Sequence, residues 1–141
     1  MPSDRLFRLI NAYHRAVLKV TFGKVGWKAA GMQVVQLTTT GRRSGEPRTV
    51  LVTSPLQVGG SVVIVASRAG DDRHPAWLLN LRADPQVVVT MDGVERPMVA
   101  REATGDERTR LWADLVAAQE RYSKYQSKTD RTLPVVVLDP V

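Results

Sequence analysis

Cysteine is missing from this 141-residue chain, which removes disulfides, thiol catalysis and thiolate metal sites together. His14 and His74 are the only histidines, too few and too isolated to build a metal cluster. No apolar run approaches the roughly 20 residues that cross a bilayer. Residues 1–20 mix charged and apolar side chains throughout, unlike the continuous apolar stretch of a secretory signal. There is neither a spaced-glycine dinucleotide fingerprint nor a phosphate-loop lysine motif, which argues against a Rossmann nicotinamide site. Any redox chemistry must therefore come from a borrowed organic cofactor. The expected compartment is the cytoplasm.

The chain does carry a positive charge, and it is unevenly placed. Of the net +6, residues 1–31 hold +5: Arg5, Arg8, Arg15, Lys19, Lys24 and Lys28 against Asp4 alone. The other 14 bases face 13 acids. A nucleic-acid-binding domain more often spreads a basic face over its folded surface, so nucleic acid is not an expected partner. Leu6, Leu9, Ile10, Tyr13, Val17 and Val20 recur at three- and four-residue steps, which predicts an amphipathic helix ending near Gly23 and Gly26. A basic helix of this kind suits two positions, packed by its stripe on the body or lying on an anionic leaflet.

Residues 32–141 read as one small domain. Strands are predicted over Met32–Leu37, Arg48–Ser54, Ser61–Ala66, Val87–Met91, Val94–Glu102 and Leu133–Leu138. Gly59-Gly60 is a hairpin signal joining the second and third, and Asp92-Gly93 is a tight-turn signal between the fourth and fifth. Short helices are predicted over Ala76–Arg82, with proline at the first turn, and from Gly105 to about Glu120, capped by Thr104 and with Leu111, Leu115 and Ala118 on one face. Six short, mostly hairpin-linked strands argue for α+β with a small antiparallel barrel.

Three segments invite a ligand. Thr38–Gly45 reads as a loop of three threonines, two glycines, two arginines and a serine, with Arg48 three residues on. Glycines let backbone N–H groups approach an oxyanion, and arginine adds bidentate contacts to phosphate or carboxylate. The same composition suits a solvated hairpin turn. Val65–Gly70 (VASRAG) ends a strand with small residues, a hydroxyl and a base. Pro75–Leu81 carries Trp77 and Asn80 on a short helix, where Trp77 by itself reads as core.

Together TTTGRRSGEPR (Thr38–Arg48), VASRAG (Val65–Gly70), HPAWLLNLRADP (His74–Pro85) and YSKYQSKTDRTLPVVVLDP (Tyr122–Pro140) resemble the deazaflavin-dependent nitroreductases of actinobacteria, also described as coenzyme-F420-dependent quinone reductases. The resemblance covers about residues 30–141. It implies a split β-barrel related to the pyridoxamine-phosphate oxidases and a reduced 8-hydroxy-5-deazaflavin coenzyme, whose ribityl chain ends in phosphate, lactate and glutamates. By resemblance, Thr40, Gly41, Arg42, Arg43, Ser44, Gly45, Arg48, Thr49 and Val50 would surround the charged end of that coenzyme. Val65, Ala66, Ser67 and Arg68 would line its ring and chain, and Pro75, Ala76, Trp77 and Asn80 would form the wall beyond.

Tyr122 and Tyr125 match two tyrosines that close over the substrate side of the ring in that family, with Tyr122 also touching the coenzyme. Together with Ser67 they are the expected catalytic residues. A phenol there stacks on an acceptor and hydrogen-bonds its oxygen; with a pKa near 10 it stabilises charge better than it releases a proton. Read from spacing alone, Tyr122 and Tyr125 are helix-surface aromatics sharing a face. The implied acceptors are quinones, enones and nitro compounds. Some relatives carry a tyrosine where Gln119 or Glu120 stands and a tryptophan where Lys128 stands, so this lid is more polar. The same barrel also suits flavin mononucleotide, and a non-catalytic deazaflavin carrier is a further alternative. Monomer and homodimer both fit.

Overall fold

The computed structural model describes residues 27–141; the helix expected nearer the start lies outside them. The strands are β1 (Lys28–Ala29), β2 (Met32–Thr40), β3 (Pro47–Ser54), β4 (Leu56–Val58), β5 (Ser61–Val65), β6 (Gln86–Met91), β7 (Val94–Glu102) and β8 (Val135–Pro140). The helices are α1 (Ala76–Ala83), α2 (Gly105–Ala118) and α3 (Arg121–Ser127). Every strand pair is antiparallel. The sheet runs β1-β2-β6-β7-β8-β5-β4, with β3 also paired to β2, and it curls into the split β-barrel of an α+β protein.

The strand pattern explains the barrel. On β5 and β8, Val62, Ile64, Val136 and Leu138 enter one core with α1, which contributes Trp77, Leu78 and Leu81. The alternate residues Val63, Val65, Val135 and Val137 enter a second core with Leu115 and Tyr122. A side-chain period of two thus buries both faces of these strands. At the β6–β7 turn Asp92 (φ 51°) and Gly93 (φ 79°) are both left-handed, as the tight hairpin between Met91 and Val94 requires.

Several sequence expectations shift. Thr38–Thr40 belong to β2, and the turn begins only at Gly41. Thr38 and Thr39 are buried and pair with Thr49 and Arg48; β-branched side chains favour this pleated setting, and the Thr38 and Thr49 hydroxyls bond at 2.7 Å. There are eight strands among the described residues, because β1 and β4 are too short to show a period. The Gly59-Gly60 hairpin joins β4 to β5, while β3 pairs with β2. Pro55, with no N–H to offer a ladder, separates β3 from β4, and the Ser54 hydroxyl donates to the Val63 carbonyl at 2.6 Å. Thr104 makes no side-chain cap on α2, and α2 docks through Leu115 with Leu111, Trp112 and Val116 half-buried, leaving Ala118 exposed. Tyr122 and Tyr125 lie on a true helix, α3. No described helix is long and apolar enough to cross a membrane.

Candidate functional site

Two cavities adjoin at Trp77, which lines both. The first, about 420 Å³, is built by the β2–β3 hairpin against the start of α1. Gly41 opens the turn: its N–H donates to the Glu46 carbonyl at 2.7 Å, and a Cβ there would crowd the Ser44 hydroxyl at 2.8 Å and the Glu46 carbonyl at 3.0 Å, so the turn leaves little room for a side chain. Arg42, Arg43 and Arg48 face this cavity with Ser44 and Thr49. Asn80 anchors the hairpin from α1. It donates to the Thr39 hydroxyl at 3.2 Å and accepts from the Arg42 backbone N–H at 3.2 Å and its guanidinium at 3.0 Å. Arg48 donates to Ser44 at 3.3 Å. Arg43 makes no ion pair or hydrogen bond among the described residues and stands open to a ligand.

The second cavity, about 310 Å³, lies between Trp77 and α3 and is lined by Val65, Ser67, Arg68, Pro75, Arg121, Tyr122 and Tyr125, with Met32, Val52 and Thr53 from β2 and β3. The two tyrosine rings meet edge-on, centroids 5.9 Å apart at 88°. Tyr122 is buried, and burial raises its phenol above the usual value of 10 although Thr53 pulls the other way. It therefore stays protonated; its hydroxyl donates to the Met32 sulfur at 3.5 Å, a weak acceptor, and also hydrogen-bonds the Thr53 side chain. The Lys128 ammonium lies over the Tyr125 ring, 5.7 Å from its centroid.

Among the described residues, five arginines thus line the two cavities and no carboxylate does. A long ligand with a ring system and an anionic tail suits this lining: Trp77 and the two tyrosines with Arg68 and Arg121 in the second cavity, and Arg42, Arg43 and Arg48 in the first. The guanidinium groups supply the donors that an anionic tail needs.

The structure brings together Gly41, Arg42, Arg43, Ser44, Arg48, Thr49, Val50, Ala76, Trp77 and Asn80 around the first cavity, and Val65, Ser67, Arg68, Pro75, Tyr122 and Tyr125 around the second. Thr40, Gly45 and Ala66 line neither; Ala66 is core. Sequence reasoning missed Met32, Val52, Thr53 and Arg121, as well as Thr39 and Ala69. The first three lie on regular strands whose inward positions do not announce a cavity, whereas Arg121 sits beside Tyr122 and could have been included with it.

With that geometry in view, the chain's likeness to known proteins is specific. A family model described as F420H(2)-dependent quinone reductase matches residues 11–140. A Mycobacterium tuberculosis protein named F420H(2)-dependent quinone reductase is 35% identical over 129 residues, covering 89% of this chain and 86% of its own. A solved structure of an F420-H2 dependent reductase, FDR-A, is 39% identical with a TM-score of 0.68, covering 75% of this chain and 93% of that one. Another, described as a domain-swapped dimer, is 32% identical with a TM-score of 0.69, covering 92% and 99%. A heme binding protein from Mycobacterium smegmatis, at 21% identity and a TM-score of 0.60, shares the fold.

Proposed function

The chain belongs to the F420H(2)-dependent quinone reductase family, and from that premise we propose that it binds reduced coenzyme F420 across both cavities and reduces a quinone, enone or nitro acceptor beside Tyr122 and Tyr125. The observation that carries this reading is the pair of cavities sharing Trp77, whose walls hold arginines but no acid among the described residues. When bound, the reduced deazaflavin supplies a hydride.

The protein's own residues do the rest. Arg42, Arg43 and Arg48 hold the phosphate and acidic tail, and Asn80 fixes the Arg42 side chain that does so. Ser67, Arg68 and Trp77 flank the ring and set its distance from the acceptor. Negative charge developing on the acceptor oxygen meets the donors of Ser67, Tyr122 and Tyr125. To make that bond Tyr122 gives up the Met32 sulfur, a weak acceptor. Its raised pKa makes it a donor that keeps its proton, and water completes the protonation. The basic, apolar-striped residues 1–31 would draw the chain from the cytoplasm to an anionic bilayer, where apolar quinones dissolve; flotation with anionic vesicles tests this, and a chain that stays wholly soluble at low salt refutes it.

Separate titrations of the purified chain with F420 and with flavin mononucleotide, followed by oxidation of the reduced F420 complex with menadione, test the main reading. Tight F420 binding with turnover is expected. Tighter flavin binding overturns the reading, and F420 binding without oxidation by menadione or a cyclohexenone makes the chain a carrier.

A further inference from the structure

Between β5 and α1 the backbone does something costly. Arg68 (φ 47°), Ala69 (φ 54°) and Gly70 (φ 84°) are consecutive left-handed residues, and the first two carry a Cβ that disfavours this region. Backbone held in such a conformation persists only where its surroundings over-determine it. The turn's own hydrogen bonds are Gly70 N–H to Ser67 O at 2.9 Å and Asp71 N–H to Arg68 O at 3.0 Å.

The over-determination comes from Arg131, which lies between α3 and β8 and belongs to neither cavity wall. Its guanidinium donates to the carbonyls of Ala66 (3.1 Å) and Ser67 (2.9 Å) on one side of the turn and of Asp71 (2.8 Å) on the other. It also meets His74 Nδ1 at 3.1 Å. A guanidinium only donates, so His74 accepts at Nδ1 and carries its hydrogen on Nε2. Arg131 forms no salt bridge among the described residues; its donors are spent on the turn.

We propose that Arg131 is a positioning residue for the reductase: it clamps the left-handed turn so that Ser67 and Arg68 point into the cavity between Trp77 and Tyr122. Without the clamp, Arg68 and Ala69 relax toward the right-handed region and the Arg68 guanidinium swings out. A lysine cannot replace it, because one ammonium does not span carbonyls on both sides of the turn as the planar fork does. This inference rests on the coenzyme reading above for its consequence, though not for the clamp itself.

The test uses the full chain with Arg131→Gln, Arg131→Lys, Arg68→Ala and the double variant Arg68→Ala/Arg131→Gln. Hydrogen exchange of the Gly70 and Asp71 amides, measured without coenzyme, is expected to quicken at least tenfold in both Arg131 variants; unchanged exchange overturns the clamp. F420 affinity is expected to fall about tenfold in Arg131→Gln and to stay low in Arg131→Lys. In the Arg68→Ala background, losing Arg131 should add less than twofold. Full rescue by lysine, or independent losses in the double variant, overturns the positioning role. If Arg131→Gln does not fold, Arg131→Lys decides by the same two readouts. A wild-type chain that does not bind F420 refutes the functional reading, while the exchange result still decides the clamp.

Discussion

Tyr122 illustrates how burial turns a side chain toward one role. Its raised pKa and weak sulfur partner leave a protonated hydroxyl ready to exchange acceptors. Tyr122→Phe is expected to lower kcat by roughly 10- to 100-fold, since loss of one preorganised donor costs up to ~10²–10³ in rate and Ser67 and Tyr125 remain; F420 affinity should hold nearly constant. Steady-state kinetics beside a coenzyme titration check both halves, and normal turnover ends the assignment. His74 supplies a second residue-scale prediction. Burial foremost, then Arg82 and Arg131, hold its pKa below 6.5, with Glu102 opposing. The unfolded chain therefore takes up this proton first as pH falls, so the stabilisation is complete above about 6.5 and is lost below it, through the native pKa. Thermal melts between pH 7.5 and 5.5 should show a falling Tm, and His74→Gln should flatten that slope.

At the scale of elements, packing decides between two left-handed glycines of similar φ. Gly70 (φ 84°) sits where an added Cβ would lie 2.7 Å from the Tyr125 carbonyl, whereas Gly45 (φ 73°) faces open space. Gly45→Ala should cost only the left-handed penalty of about 1–2 kcal/mol. Gly70→Ala should cost about 1–3 kcal/mol more by forcing the turn away from α3, and it should raise the acceptor KM because α3 carries both tyrosines. Denaturant unfolding of the two variants measures the difference; equal losses would show that α3 yields freely. The elements themselves were partly legible in the sequence. The β-branched run Val62–Val65 and the Asp92-Gly93 turn announced β5 and the β6–β7 hairpin, because strand propensity and turn chemistry are local. Thr38–Thr40 read as loop for their hydroxyls, yet cross-strand pairing with Thr49 and Arg48 makes them strand, and no local signal reports a pairing partner. The clamp from Arg131 to Ala66, some 65 residues away, was illegible for the same reason.

For the whole molecule, the order β1-β2-β6-β7-β8-β5-β4 comes from long-range pairings that composition and periodicity do not encode, and the split barrel was expected only through resemblance. The arginine-rich hairpin was visible as a motif; that its charge faces a cavity with no carboxylate among the described residues became visible only once α1 and β3 closed around it. This arrangement makes a prediction about the molecule's field rather than any one contact. Arg42, Arg43 and Arg48 lie within one hairpin turn and act together on an anionic tail, but they are exposed, so salt screens them over about 10 Å at 0.1 M. F420 affinity should therefore fall steadily between 0.05 and about 0.5 M salt. Arg43→Ala, which removes a guanidinium with no competing partner among the described residues, should weaken binding about tenfold at low salt, ~1.4 kcal/mol, and flatten the salt dependence. Asn80→Ala should weaken binding without flattening it as much, because it misplaces Arg42 and keeps its charge. Coenzyme titrations across a salt series compare the two: equal slopes in wild type and Arg43→Ala would mean that the hairpin does not hold the coenzyme's charged end.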